Sequence, residues 1–265
     1  MERARIMPVL SGAEGPVVSG AEGKVVLGRD PQIGERVILG CRPGREIVLA
    51  KPVLSGAEGT VIGDFAVIRS NTVIYCNVII GDSLETGHNV IIREENIIGN
   101  NFRIWNNSTV DYGCEIGDNV RIHNNVYVAQ YTTIEDDVFL APGVMIANDP
   151  HPICTKCMRG PTIKKGARIG VNATLLSHIV IGEHSLIGAG SVVTQDIPAG
   201  VVAYGNPARV VKPIDSLPCP LGIVDRPYIE GRDVRTRERF GIQVNSLAPC
   251  TEPVEVMEDD LSAGG

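Results

Sequence analysis

From Ile62 to Ile146 an aliphatic residue returns at every sixth position: Ile62, Ile68, Ile74, Ile80, then Ile92, Ile98, Ile104, Val110, Ile116, Ile122, Val128, Ile134, Leu140 and Ile146. Thr86 alone departs from the rule. The next residue is often Gly or Ala, as at Gly63, Gly81, Gly99, Gly117 and Ala141, and the fourth is mostly small or β-branched, as at Ala66, Thr72, Val90 and Val144. A period of six is neither the 3.6 of an amphipathic helix nor the 2 of a half-buried strand. Sustained this long, it predicts an all-β stacked solenoid, a parallel β-helix. Three hexads make one triangular coil, and coils stack at about the 4.8 Å spacing of paired strands. Aromatic residues are only 4 % of the chain and glycines number 30, which suits a core of thin Ile/Val ladders.

The first hexads, Ile33-Gly-Glu-Arg-Val-Ile and Leu39-Gly-Cys, are followed by a loss of phase up to Ile62. Three near-identical octads are out of phase with the repeat: Pro8–Gly15, Pro16–Gly23 and Pro52–Gly59. Small and Gly-rich, they read as low-complexity loop segments. A second ladder follows Ile146: Ile163, Ile169, Leu175, Ile181, Ile187 and Val193. The step from Ile146 to Ile163 is one hexad plus eleven residues, which predicts an external loop over 148–162. Long loops on rigid scaffolds tend to carry function. The resulting division is a low-complexity extension over 1–30 and a solenoid domain over 31–213 with an insertion at 52–59. A short irregular cap and tail over 214–265 follow, since a solenoid needs its end covered.

A net charge of −7 argues against a general nucleic-acid or anionic-membrane binder, so an anionic ligand must be met by local cations. No apolar run is long enough to span a bilayer, and the opening residues lack a signal-peptide core. With seven scattered cysteines and no export signal, a reduced cytoplasmic setting is expected.

Several stretches resemble the hexapeptide-repeat acyltransferases: IGDNVRIHNNVYV, the APGVMIANDPHP loop, IKKGARIGVNATLL, IGEHSLIGAGSVVTQDIP and YGNPARVVK. The resemblance covers roughly residues 30–213. It is nearest to the CoA-dependent N-acetyltransferases of nucleotide-linked amino sugars. It implies a left-handed coil, against the usual right-handed crossover of parallel strands. It also implies a homotrimer with acetyl-CoA between neighbouring solenoids, and N-acetylation of an amino sugar for surface polysaccharide. O-acetylation of a sugar or another small molecule is the alternative within the same fold. A γ-class carbonic anhydrase-like metal protein and a non-catalytic solenoid are alternatives of other classes. The anhydrases take two zinc ligands from a His-x4-His pair, and the residue five after His123 is Val128.

Acyl transfer from a thioester to an amine needs a base and donors for the oxyanion. His123, one residue after a buried aliphatic, is a candidate base, with Asn124 beside it as a catalytic group and Asn125 as an acceptor contact. Asparagines at coil corners also simply adopt left-handed turns. His151 at the root of the loop is the competing base, oriented by Asp149, with Asn148 as a further substrate contact. Cys154 and Cys157 follow His151 at zinc-like spacing, but no fourth ligand is adjacent, so no metal is expected. His178 and His184 fall at non-core corner positions. Lys164, Lys165, Arg209 and Lys212 are the cations expected to meet CoA phosphates. Gly188 and Ala189 would let the pantetheine arm approach the backbone closely.

Overall fold

A computed structural model describes residues 25–41, 59–154, 156–223 and 227–228. The octads lie outside these residues apart from Gly59, as does most of the tail beyond Ser216. The hexads fold as the period requires. Their strands, most of them two residues long, form three parallel sheets, the faces of a triangular prism. The first face carries the ladder Ile62, Ile80, Ile98, Ile116, Ile134, Ile163 and Ile181. The second carries Ile33, Ile68, Thr86, Ile104, Ile122, Leu140, Ile169 and Ile187. Leu39, Ile74, Ile92, Val110, Val128, Ile146, Leu175 and Val193 line the third. The fold is a left-handed parallel β-helix. Each fully buried aliphatic contributes about 1.5–3 kcal/mol relative to exposure.

The ladder starts earlier than Ile33. Val25–Leu27 pairs with Thr60–Ile62, so Leu27, Ile33 and Leu39 form one coil beneath Ile62, Ile68 and Ile74. The far end is closed by a hairpin, Val201–Gly205 with Ala208–Pro213, which extends the second face and supplies the only antiparallel pairing among the described strands.

Corners explain the small residues. The third residue after most core ladder positions turns through the left-handed region, at Asn71, Asn89, Asn107 and Asn125 among others, with φ of 61°, 56°, 57° and 58°. Asparagine tolerates that region better than other non-glycine residues. At the edge after the first face, here the first edge, the backbone N–H of Asn100 donates to Asp118 Oδ1 at 2.6 Å and that of Asp118 to Asp136 Oδ1 at 3.0 Å. Each accepting carboxylate fills the space a Cβ would need at Gly99 or Gly117 of the neighbouring coil. The recurrent Ile-Gly-Asp is therefore one hydrogen-bonded device rather than three independent preferences.

Thr86, the exception in the ladder, is fully buried, and its Oγ1 accepts the backbone N–H of Arg69 at 2.9 Å. Leu84 and Phe102 are the large exceptions at the usually small fourth position, and both are buried. Thr86→Val keeps the shape and deletes the acceptor. It is expected to cost about 1–2 kcal/mol, read as a lowered urea midpoint; an unchanged midpoint would show that this hydrogen bond is dispensable.

Candidate functional site

His123 projects from the second edge, the one after the second face. Its backbone is fixed by the ladder: its N–H donates to Leu140 O at 2.9 Å and its carbonyl accepts Ser108 Oγ at 2.7 Å. The half-buried ring meets Phe139 edge-on, with centroids 5.6 Å apart. Nδ1 is enclosed and has no hydrogen-bond partner among the described residues. Nε2 is not enclosed in this way, so it is the nitrogen open to a ligand. A buried polar atom left unpaired costs about 1–3 kcal/mol.

Asn124 and Asn125 have structural duties as well. Asn124 Oδ1 accepts the Asn106 N–H at 3.0 Å, and Asn106 Oδ1 accepts the His88 N–H at 2.7 Å, one coil further back. This commits the oxygen of Asn124 and leaves its amide nitrogen available. Asn125 is exposed and supplies the left-handed turn. The left-handed corner role raised from sequence thus holds for Asn125, whereas Asn124 serves as a side-chain acceptor between coils.

His151 is on another edge. The loop leaves the third edge at Asn148 and returns at Arg159, whose N–H donates to Asn148 O at 2.8 Å, and at Gly160, bonded to Tyr131 O at 3.2 Å. Asp149 acts on the loop backbone: Oδ1 accepts the His151 N–H at 3.0 Å and Oδ2 the Cys154 N–H at 2.7 Å. Those donors, the Cys154 amide foremost, hold its carboxyl below the usual range. The ligand atoms of His151, Cys154 and Cys157 all lie within 4.8 Å of one another. A hydrogen bond with Cys157 holds the Cys154 thiol below its ordinary value and pushes Cys157 up. No other grouping of three or more candidate metal ligands occurs among the described residues, and this one contains a single histidine.

Beneath the loop the third edge holds a polar network that sequence reasoning missed. Arg93 chelates Glu94 through Nε at 2.9 Å and Nη2 at 2.6 Å, and approaches Asp111 at 3.3 Å. Asp111, 6 % exposed, also accepts Tyr127 Oη at 2.8 Å and Gln130 Nε2. Gln130 Oε1 in turn accepts Asn148 Nδ2 at 2.6 Å, tying the loop's foot to the buried acid. Residues 18 apart share an edge, and Tyr112, Gln130 and Asn148 stand in that series. That spacing was the available signal.

The expected cofactor residues separate. Gly188 and Ala189 lie on the second edge, in line with His123, Ala141 and Gly170. Tyr204 lies against Gly188 and pairs in register with Arg209, which places that cation near the top of the same edge. Lys212 follows on the exposed strand, opposite Val202. Lys164 and Lys165 stand on the first edge instead. Lys164 Nζ meets Glu135 at 2.6 Å, which raises its pKa, and Lys165 Nζ approaches Asp136 at 3.6 Å and Asp137 at 3.7 Å. Within one chain the two lysines are not brought to Gly188. His178 and His184 occupy left-handed corners, as their non-core spacing predicts.

The bacterial transferase hexapeptide model, described as six repeats, matches residues 97–130 and 160–195. The chain is 56% identical over 48 residues to a dTDP-3-amino-3,6-dideoxy-alpha-D-galactopyranose 3-N-acetyltransferase of Aneurinibacillus thermoaerophilus, covering 18% of this chain and 25% of that protein. It is 40% identical over 86 residues to the galactoside O-acetyltransferase of Escherichia coli strain K12, covering 30% and 42%. The matched part therefore spans well under half the length of these relatives. Among solved structures, UDP-N-acetylglucosamine O-acyltransferase from Moraxella catarrhalis RH4 superposes with a TM-score of 0.55 over 71% of this chain and 72% of that one, at 22% identity. Among the described residues no helix is long and apolar enough to cross a membrane. Repeat, register and superposition agree on the fold of the hexapeptide-repeat transferases, to which the chain is similar over the matched residues.

Proposed function

We propose that this chain is an acetyl-CoA-dependent acetyltransferase acting on the amine of a nucleotide-linked amino sugar, within surface polysaccharide synthesis. The observation that carries the reading is the second edge. There a histidine with an open Nε2 stands in line with the small residues Gly170, Gly188 and Ala189. From His123 to Gly188 is three coil steps, about 14 Å at the spacing of paired strands. That length suits an extended pantetheine arm lying along the edge, its thioester at His123 and its phosphates towards Arg209 and Lys212.

In this arrangement the neutral amine attacks the thioester carbonyl while His123 Nε2 takes its proton. The Asn124 amide nitrogen donates to the tetrahedral oxyanion. Collapse breaks the carbon–sulfur bond, and the imidazolium returns the proton to the leaving thiolate. Asn125, and Asn148 with Asp149 and His151 from the loop, contact the acceptor.

A homotrimer follows from the same reading. His123 and the loop are on different edges, so they share one site only across a boundary between copies. Lys164 and Lys165 likewise reach CoA only from a neighbour. The third face offers a surface for that contact: its outward residues Ile38, Val73, Ile91, Thr109, Tyr127, Met145, Thr174 and Val192 carry no charge, whereas the second face presents Glu85, Arg103, Arg121 and Arg168. Closed cyclic symmetry is the usual outcome for such assemblies. A cytoplasmic location goes with this reading, as the reduced compartment that suits its cysteines.

The similarity to the A. thermoaerophilus 3-N-acetyltransferase supports an amine acceptor, and that to the E. coli galactoside enzyme keeps a hydroxyl acceptor as the second reading. The test is thiol release from acetyl-CoA across a panel of amino-sugar nucleotides and simple galactosides, with the product mass measured. Turnover on an amino-sugar nucleotide is expected. Turnover on hydroxyl acceptors alone selects the second reading, and none on any acceptor refutes both.

A further inference from the structure

We infer that His151, Cys154 and Cys157 form a binding site for a soft divalent cation, zinc by its chemistry, which clips the external loop. Nitrogen and two sulfurs from three residues converge, all within 4.8 Å of one another. Tetrahedral zinc with Zn–S near 2.3 Å and Zn–N near 2.0–2.1 Å sets its ligand atoms roughly 3.4–3.8 Å apart. The observed grouping thus needs only a small contraction. Asp149 holds the backbone of two of the three ligand residues through the His151 and Cys154 amides, so it orients the set without having to join it. A water or a group from outside the chain completes the fourth position.

The loop has need of a clip. Its feet are tied to the solenoid at Asn148 and Gly160. Between them no described residue from Asp149 to Arg159 is buried, and Ile153 is 96 % exposed. With no apolar anchor, metal binding is an effective way to fix such a segment. The step is a simple exchange: the cation binds two thiolates and one neutral imidazole, and two thiol protons go to solvent. Nothing is oxidised. The proposal does not depend on the acetyltransferase reading, but it bears on it: a metal-bound His151 is unavailable as the base, which leaves His123 in that role.

The test uses the full chain, reduced and stripped with a chelator, then titrated with zinc against a chromophoric competitor and separately with cobalt. One equivalent of zinc per chain is expected, with thiolate-to-cobalt charge-transfer absorption and the visible bands of a tetrahedral site. Cys154→Ser and Cys157→Ser should each weaken binding by roughly 10²-fold or more, and His151→Ala should change the cobalt spectrum. Far-UV circular dichroism should not move in any variant, because the loop lies outside the solenoid. Three results overturn the proposal. One is no stoichiometric uptake by the reduced protein. Another is uptake that persists in the double Cys154→Ser, Cys157→Ser variant, which would place it elsewhere. The third is a Cys154–Cys157 disulfide that, once reduced, yields thiols indifferent to zinc.

Discussion

On the acetyltransferase reading, His123→Ala is expected to slow acetyl transfer by about 10²-fold or more in kcat, the scale of a lost general base, while acetyl-CoA affinity stays within a few-fold. The split follows from the geometry. The ring stands at one end of the small-residue edge and contributes no anchoring hydrogen bond to the coil, since the bonds at this position run through the backbone N–H and carbonyl. Truncation takes away only the packing of the ring on Phe139. The unfolding midpoint should therefore fall only slightly. Steady-state kinetics beside a calorimetric CoA titration separates the possibilities. A variant with wild-type kcat removes His123 from the reaction, and one that no longer binds CoA makes it a structural element of the edge.

Phe102→Ala is expected to be the most damaging single core truncation, at about 3–5 kcal/mol. The side chain is fully buried and occupies a position where most coils hold Ala, Val, Thr or Ser. Leu84 lies on the coil before it and Val120 on the coil after, and Glu85 N–H and Phe102 O hold that stack at 2.9 Å. Two-residue strands give the neighbours little freedom to collapse into the void. Phe102→Leu should cost much less, about 1.5 kcal/mol or under. Arg103→Ala is the surface control: its contact with Glu85, at 3.4 Å on an exposed face, is worth at most about 1 kcal/mol. Urea midpoints for the three variants test the order. Equal shifts for Phe102→Ala and Arg103→Ala would mean that the stack relaxes freely.

The solenoid was legible because a period of six repeats one physical requirement, a thin aliphatic wedge at each face. Even the single irregular position, Thr86, was visible as an irregularity, though its reason, an acceptor for the Arg69 amide, is a contact between coils that a linear reading does not contain. The placing of the candidate site was only half legible. His123 and Gly188 are 65 residues apart; subtracting the eleven of the loop leaves 54, three turns of 18, so their common edge could have been counted. The same count puts Lys164 one hexad short of that edge, and the structure pairs it with Glu135. The cluster around Asp111 escaped because corner positions accept almost any polar residue. What marks this one is burial of the carboxylate beside Arg93, Tyr127 and Gln130, which depends on the fold. The eleven-residue slip pointed to the loop, and its convergence of His151, Cys154 and Cys157 became apparent only once the chain had turned.

Acetyl-CoA is expected to lie along the second edge with its sulfur at His123, and a crystal structure of the CoA complex measures this directly. The predicted result is a CoA sulfur beside Nε2 of His123, with the pantetheine arm against Gly170, Gly188 and Ala189. A CoA molecule held elsewhere, with its sulfur distant from the His123 of every copy, would contradict it.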